Sequence, residues 1–443
     1  MTKTCSFISL LCFAILLSHQ VNARTQPFII GADISWVPEE ENGGAEYYDD
    51  NTKQDIFTIL KNHKFNYIRL RIFNDPAADS GGSVATTGAV YSGYSSGGYC
   101  DLAHTKAMAL RIKNAGMKFF LDFHYSDNWA DPGKQYKPHA WANATFSQLT
   151  DSIRIYTKNV LAALKNQGTI PDMVQIGNEI TAGMLWPDGA NSGGFDNLAA
   201  LLKAGIAGVK DVDSSIKIVL HIDRGNDYAT TKWWMNNVIA KGVKFDIIGE
   251  SCYQTIQGEP GDWQATFDSL VKNYPAYSFI IAEYSQKKRA ANDIIFKIPN
   301  ERGLGAFIWE PLEYYERIFS ESGTTWTAID SLINLYDTMY ADYGNDTVST
   351  SICNSKLQKK ISAYSAINAD AWLSGKGTLR FYSSNASSAE IIVYNFLGKK
   401  CLTLNTIVLS GFNSVPECTS NRYLPAGLYI VSINNKGLKA LKN

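Results

Sequence analysis

Val174-Gln175-Ile176-Gly177-Asn178-Glu179-Ile180 decides how the rest of the chain is read. Met173, Val174 and Ile176 make a short apolar strand, Gly177 ends it, and Asn178 and Glu179 follow at its carboxyl end. A parallel β/α barrel places its chemistry at the carboxyl ends of its strands. A second run of the same design, Phe279-Ile280-Ile281-Ala282-Glu283-Tyr284, lies about a hundred residues later. Two carboxylates delivered by strand ends suit cleavage of a glycosidic bond, in which one protonates the leaving oxygen and the other attacks the sugar or activates water. A buried glutamate after a strand serves equally well as a salt-bridged structural residue, so the pair gains weight only from its surroundings.

Working outward, short apolar runs alternate with amphipathic helices from Phe28 to about Trp309, the pattern of parallel β/α units. Eight runs qualify as strands: 28–32, 67–73, 118–123, 173–177, 216–221, 245–249, 279–282 and 305–309. Eight closes a TIM barrel, giving an α/β fold, and 102–115, 150–166 and 198–212 carry apolar residues at helical spacing. The strand ends then supply Asp33 and Trp36; Arg69 and Arg71, two apart and so on one face; Asp122, His124 and Trp129; Asn178 and Glu179; His221 and Asp223; Ser251 and Tyr253; Glu283; Trp309 and Glu310. Polar and aromatic residues converging from every strand end make a catalytic rim the preferred reading.

Formal net charge is −1 with both signs interspersed, which argues against nucleic acid or an anionic membrane surface as partner. Ten Trp and twenty-four Tyr suit stacking on sugar faces, although many belong to a core of this size. Residues 1–23 read as an export signal: Lys3 gives the positive region, Phe7–Leu17 the apolar run, and Val21-Asn22-Ala23 the cleavage site. The expected location is secreted or cell-surface. Two of seven cysteines lie in that segment, leaving an odd five, without zinc-like spacing. The expected domains are the barrel over 24–345, a connector with a helix over 346–373, and a small all-β sandwich over 374–443.

Several long motifs resemble glycoside hydrolase family 53, the endo-β-1,4-galactanases: Gly31-Ala32-Asp33-Ile34-Ser35-Trp36, Arg69-Leu70-Arg71-Ile72-Phe73-Asn74-Asp75-Pro76, Asp122 to Gly133, Gly177 to Gly189, and Trp309-Glu310-Pro311. The resemblance spans roughly 28–312. It implies retaining hydrolysis of internal β-1,4 bonds in pectic (arabino)galactan, with Glu179 as acid/base and Glu283 as nucleophile. Beside this pair, Asn178 is a candidate for the sugar 2-hydroxyl, Tyr253 for the nucleophile carboxylate, and Trp309 for an apolar platform. Arg69, with Arg71, is expected to keep Glu283 charged, and Asp33 joins the substrate-binding candidates. His124 and His221 are either sugar ligands or barrel-top hydrogen-bond partners, and Trp36, Trp129 and Trp186 are candidates for neighbouring subsites.

The chain departs from the family at Ser251-Cys252-Tyr253-Gln254, where a Ser-Tyr-Tyr-Pro run is usual, and in a short, lysine-containing stretch after Glu283. No calcium, other metal or cofactor is therefore expected, and the chain is expected to be a monomer. In the tail, Val393 to Lys399 and Leu424 to Tyr429 resemble the C-terminal sorting domain of the Bacteroidota type IX secretion system, with a carbohydrate-binding module as the alternative. Alternatives for the whole are a barrel hydrolase of another β-linked glycan, or a non-catalytic galactan-binding protein; retention of both glutamates speaks against the latter.

Overall fold

The structure, a computed structural model, describes residues 24–78, 97–313 and 315–344 in full, and beyond them the backbone of seven strands between residues 371 and 442. All eight expected barrel strands form: β1 (Ile29–Asp33), β2 (Tyr67–Ile72), β3 (Lys118–Phe123), β4 (Met173–Ile176), β5 (Lys217–Ile222), β6 (Ile247–Cys252), β7 (Ser278–Tyr284) and β8 (Gly303–Trp309). They pair in parallel, in sequence order, and β1 closes on β8. Helices pack outside; the one after β3, Phe146–Gln167, begins in a Thr145–Gln148 capping box and stops at Gly168 with φ 77°.

Side chains of alternate strand residues enter the barrel. The lower interior is filled by Ile29, Tyr67, Phe120, Met173, Val219, Ile247, Ile280, Ala282 and Phe307. Phe307 takes the space in front of Gly31, where a Cβ would stand only 2.2 Å from its ring. Further up β1 to β6, the same inward phase delivers Asp33, Arg69, Arg71, Asp122, Gln175, His221 and Ser251, all buried.

Two strand boundaries correct the expectations. The sixth strand runs to Cys252 rather than ending at 249, so Ser251 lies within it. Glu283 lies inside β7 rather than beyond it. There the pairing slips: Ile281 faces Glu250 but Glu283 faces Ser251, while on the other side Ile281 faces Ala306 and Tyr284 faces Ile308. Measured against both neighbours, β7 carries one extra residue, a bulge. Ile280 and Ala282 point inward, so regular alternation would send Glu283 outward; the bulge turns it in and sends Tyr284 to the outer core.

A further sheet was not foreseen. Phe319–Ser322, Thr325–Ala328, Glu46–Asp49 and Thr52–Gln54 form four strands that join the loop after β1 to the segment after β8.

The chain divides after Ile352 into a second unit. Its strands Ala371–Ser374, Thr378–Ser383, Ser387–Asn395, Lys400–Val408, Gly411–Pro416, Gly427–Ile433 and Lys436–Lys442 form one seven-stranded sheet. The expected export signal and the connector with its helix lie outside the described residues, apart from 371–373, which belong to a strand. No helix among the described residues is long and apolar enough to cross a membrane.

Candidate active site

Arg69 is the hub of the rim. Its side chain is fully buried. One terminal nitrogen lies 2.9 Å from Asp33 Oδ2; the other lies 2.8 Å from Asp122, 2.9 Å from Glu283 Oε1 and 3.0 Å from Asn178 Oδ1. Burial opposes its charge, but Asp122, Glu283 and Asp33 outweigh that and raise its pKa. The Asp122 carboxyl, itself raised by burial, is in turn held below its usual range by Arg69 and by His124.

Glu283, 4% exposed, is held at both oxygens: Oε1 by Arg69 and Oε2 by the Tyr253 hydroxyl, which donates at 2.9 Å. Tyr253 is placed by Gln257, whose Oε1 accepts from the Tyr253 peptide N–H at 2.9 Å. Glu179 is half-buried and sits on backbone with φ 48°, a conformation rare for a side-chain-bearing residue. Gln135 holds that turn, its Nε2 donating to Asn178 O at 2.7 Å. Oε1 of Glu179 is 2.6 Å from Ser251 Oγ.

The two carboxyls differ electrostatically. Burial raises Glu179 well above the usual range, and the charges of Glu283 and Asp223 push the same way. Burial also lifts Glu283, to about 7, but Arg69 and the Tyr253 hydroxyl pull against it. The structure therefore favours a proton on Glu179 and a charge on Glu283, the split required of an acid paired with a nucleophile.

Arg71 belongs to a different group. It lies 2.5 Å from Glu310 Oε1 and 3.5 Å from Asp33 Oδ1, and it is wrapped by indoles, its guanidinium carbon 5.0 Å from the Trp36 ring centre, 5.3 Å from Trp129 and 5.0 Å from Trp309. Trp36 meets both Trp129 and Trp309 edge-on. Trp36 and Trp129 are half-buried and Trp309 is 8% exposed, so the three form a rim of rings standing on one cation. Trp186 is not part of it; on the loop after β4 it meets Tyr136 and donates from Nε1 to Ala182 O at 3.1 Å.

Several candidates for sugar contact lie too deep. Asp33, Arg69 and Arg71 are essentially unexposed and bind one another and the carboxylates. His124 is closed off on both nitrogens: Nδ1 accepts from the Ala130 N–H at 2.9 Å, and Nε2 is 2.9 Å from Asp122. His221 lies between Asn178 and Ser251, with side chain wholly inside. Both histidines thus hydrogen-bond within the barrel top. Asn178 spends its oxygen on Arg69, Gln175 and His221 and one N–H on Ala130 O, leaving its second N–H for a ligand.

Gln175, Gln135 and Thr181 were missed. Gln175 bridges Asp122 and Asn178, at 2.6 and 3.0 Å, and its place two residues after inward Met173 was the signal available. Thr181, in the 3-10 turn Ile180–Ala182, whose hydroxyl donates to Asp223 at 2.6 Å, and Gln135, on a loop, lie where no periodicity points to them.

The model of glycosyl hydrolase family 53 matches residues 29–294, which includes β1 to β7 and both glutamates. This chain belongs to glycosyl hydrolase family 53. It is a glycosidase. An uncharacterized Niallia circulans protein is 43% identical over 258 residues, 56% of this chain and 63% of that one, so the match spans under two thirds of that relative. The arabinogalactan endo-β-1,4-galactanase of Thermothelomyces thermophilus is 31% identical over 63% of this chain and 88% of its own length. Among solved structures, the family 53 catalytic domain of Ignisphaera aggregans superposes with a TM-score of 0.62 at 31% identity, covering 71% of this chain and 97% of that one. The match ends before β8, the side-sheet strands Phe319–Ser322 and Thr325–Ala328, and the C-terminal strands.

Proposed function

We propose that this family 53 chain is a retaining endo-β-1,4-galactanase acting on pectic (arabino)galactan, with Glu283 as nucleophile and Glu179 as acid/base. The observation that carries this is the asymmetric clamping of the pair: Glu283 is ion-paired to Arg69 at one oxygen and accepts from Tyr253 at the other, while Glu179 faces a single hydroxyl. Glu283 attacks the anomeric carbon as Glu179 protonates the departing oxygen; Glu179 then takes the proton of the water that releases the sugar, the double displacement of retaining glycosidases. The second N–H of Asn178 serves the 2-hydroxyl, and the rings of Trp36, Trp129 and Trp309 offer stacking surfaces. The galactanase names of the Thermothelomyces thermophilus and Bacillus subtilis relatives support the substrate.

The experiment is hydrolysis of linear β-1,4-galactan by the purified protein, with Glu179→Gln and Glu283→Gln alongside. Short galacto-oligosaccharides from the wild type and none from either variant support the assignment. Release from another β-glycan alone moves the substrate elsewhere, a reading kept open by Cys252 and Gln254, the latter tied to Glu259 at 2.6 Å on the loop beyond β6. Outside the barrel, the N-terminal 1–23 is read as an export signal and the C-terminal unit as a sorting domain of the type IX kind, which gives a secreted or cell-surface enzyme from a Gram-negative bacterium. Tail cleavage during export supports that reading, and a tail that persists and binds galactan replaces it with a binding module.

A further inference from the structure

Three hydrogen-bonding groups stand in line behind Glu179. Asn178 Oδ1 is 3.0 Å from His221 Nδ1, His221 Nε2 is 2.9 Å from Ser251 Oγ, and Ser251 Oγ is 2.6 Å from Glu179 Oε1. Donor and acceptor roles along this line follow from its far end. The Asn178 amide cannot be turned round, because its oxygen faces the Arg69 guanidinium, which only donates, at 3.0 Å, and its nitrogen faces the Ala130 carbonyl at 2.9 Å. With that oxygen fixed as acceptor, His221 Nδ1 must carry a hydrogen.

The other ring nitrogen then has two options. If it also carries a hydrogen, His221 is an imidazolium, buried, with Arg69 and His124 nearby and Asp122 as the countercharge. Burial and the Arg69 charge, the two largest influences, lower its pKa far below the usual range, so the neutral ring is favoured. A neutral ring with Nδ1–H has a bare Nε2, which must accept from the one hydrogen of Ser251. Ser251 is then left with only lone pairs toward Glu179, and a separation of 2.6 Å between those oxygens calls for a hydrogen on the carboxyl.

We infer that Ser251 and His221 are positioning residues that hold the catalytic proton on Glu179, through a chain running Glu179 carboxyl to Ser251 Oγ, Ser251 hydroxyl to His221 Nε2, and His221 Nδ1–H to Asn178 Oδ1. This rests on the assignment of Glu179 as the acid/base. It gives the serine the opposite effect from that of a hydroxyl donating to a carboxylate. When Glu179 gives its proton to the leaving oxygen, its O–H bond breaks and an O–H bond forms on the departing sugar. The carboxylate then draws the Ser251 hydroxyl round, and His221 Nε2 is left facing an oxygen lone pair. That mismatch ends when Glu179 takes a proton from the water whose oxygen bonds to the anomeric carbon. The chain thus favours the state in which the acid is loaded. The charges that face Glu179 from elsewhere are Glu283 on β7, Asp223 after β5 and Asp131 on the loop after β3, and none of them reverses this order of donors.

The test is the pH profile of kcat/KM on linear β-1,4-galactan for wild type, Ser251→Ala and Ser251→Thr, with the His221 tautomer read by nitrogen-15 NMR of histidine-labelled wild-type protein. Six histidines make the assignment practical, His221→Asn identifying the signal. In Ser251→Ala the alkaline limb is expected to fall by about one pH unit, the worth of one hydrogen bond written as a tenfold change, and Ser251→Thr is expected to restore it. His221 is expected to stay neutral with hydrogen on Nδ1 across the active range. An alkaline limb that rises or stays put in Ser251→Ala, an imidazolium, or a hydrogen on Nε2 alone overturns the chain. Should Ser251→Ala not fold, the wild-type tautomer decides. An alkaline limb that survives in Glu179→Gln removes the acid assignment instead, whatever the tautomer.

Discussion

The two halves of the barrel interior are built by the same strands, mostly in the same inward phase, and they obey opposite rules. Below, nine side chains from Ile29 to Phe307 are apolar, apart from the Tyr67 hydroxyl, and hold the barrel together by burial. Above, Asp33, Arg69, Arg71, Asp122, His221, Glu283 and Glu310 are equally dry, yet nearly all are charged or hydrogen-bonded. A buried ion pair is weak as a source of stability, because desolvation offsets most of its attraction. The upper layer is therefore explained by what it fixes: two guanidiniums hold acidic groups in place and leave Glu179 and Glu283 in unequal fields.

The comparison breaks first at the carboxylates. Glu283→Gln and Glu179→Gln are expected to leave the melting temperature within a few degrees of wild type while abolishing galactan cleavage; for Glu179 the loss in kcat is roughly a hundred- to ten-thousand-fold, the worth of general acid–base help, and for Glu283 more. Calorimetry beside initial rates checks both. Next, Arg69→Met leaves Asp122 and Glu283 buried without their guanidinium, and Asp33 with Arg71 alone, and is expected to cost roughly 3 to 5 kcal/mol in urea unfolding. The loss depends on pH with a definite sign. Without Arg69 the folded-state pKa values of Asp122 and Glu283 rise, the native state holds more protons than the unfolded one, and the variant loses stability as pH rises above the ordinary carboxylate range. A loss that grows instead on acidification contradicts the role given to Arg69.

In the lower layer, Phe307→Ala is expected to cost a similar amount, about 3 to 5 kcal/mol, by opening a cavity, but with no such pH dependence and with kcat/KM nearly retained at temperatures where the variant is folded. If activity falls as steeply as it does for Arg69→Met, the two layers are not separable. The smallest effect belongs to Tyr253→Phe. Loss of the hydroxyl removes one donor from Glu283, so its pKa rises and the acid limb of kcat/KM moves to higher pH, by up to about one unit. A limb that moves down instead would show that Tyr253 acts on some other group.

What could be read from the chain differs between these layers for a physical reason. Buried parallel strands are apolar on both faces, so all eight stood out as runs, and the inward phase of Arg69 and Arg71 followed from their spacing of two. The bulge in β7 leaves no such trace: Ala282-Glu283 reads as the plain end of a run, although the strand carries an extra residue there, just before Tyr284. Partners were less legible than positions. His221 and His124 look alike as strand-end histidines, but only the fold shows that both are spent on hydrogen bonds beneath the rim. Arg71 was paired in expectation with Glu283, whereas it holds Glu310 and carries three indoles, contacts made by residues far apart in sequence. The side sheet escaped because its strands are three or four residues long and its middle pair joins Glu46–Tyr48 to Thr325–Thr327.

The central claim, that Glu283 attacks while Glu179 keeps the proton, is tested most directly by trapping. Incubation with an activated 2-deoxy-2-fluoro-β-galactoside, followed by intact-protein and peptide mass spectrometry, is predicted to add one fluorosugar to the peptide bearing Glu283, and to add none in Glu283→Gln. A sugar attached to a different carboxylate, or no adduct together with first-formed products of α configuration, would contradict it.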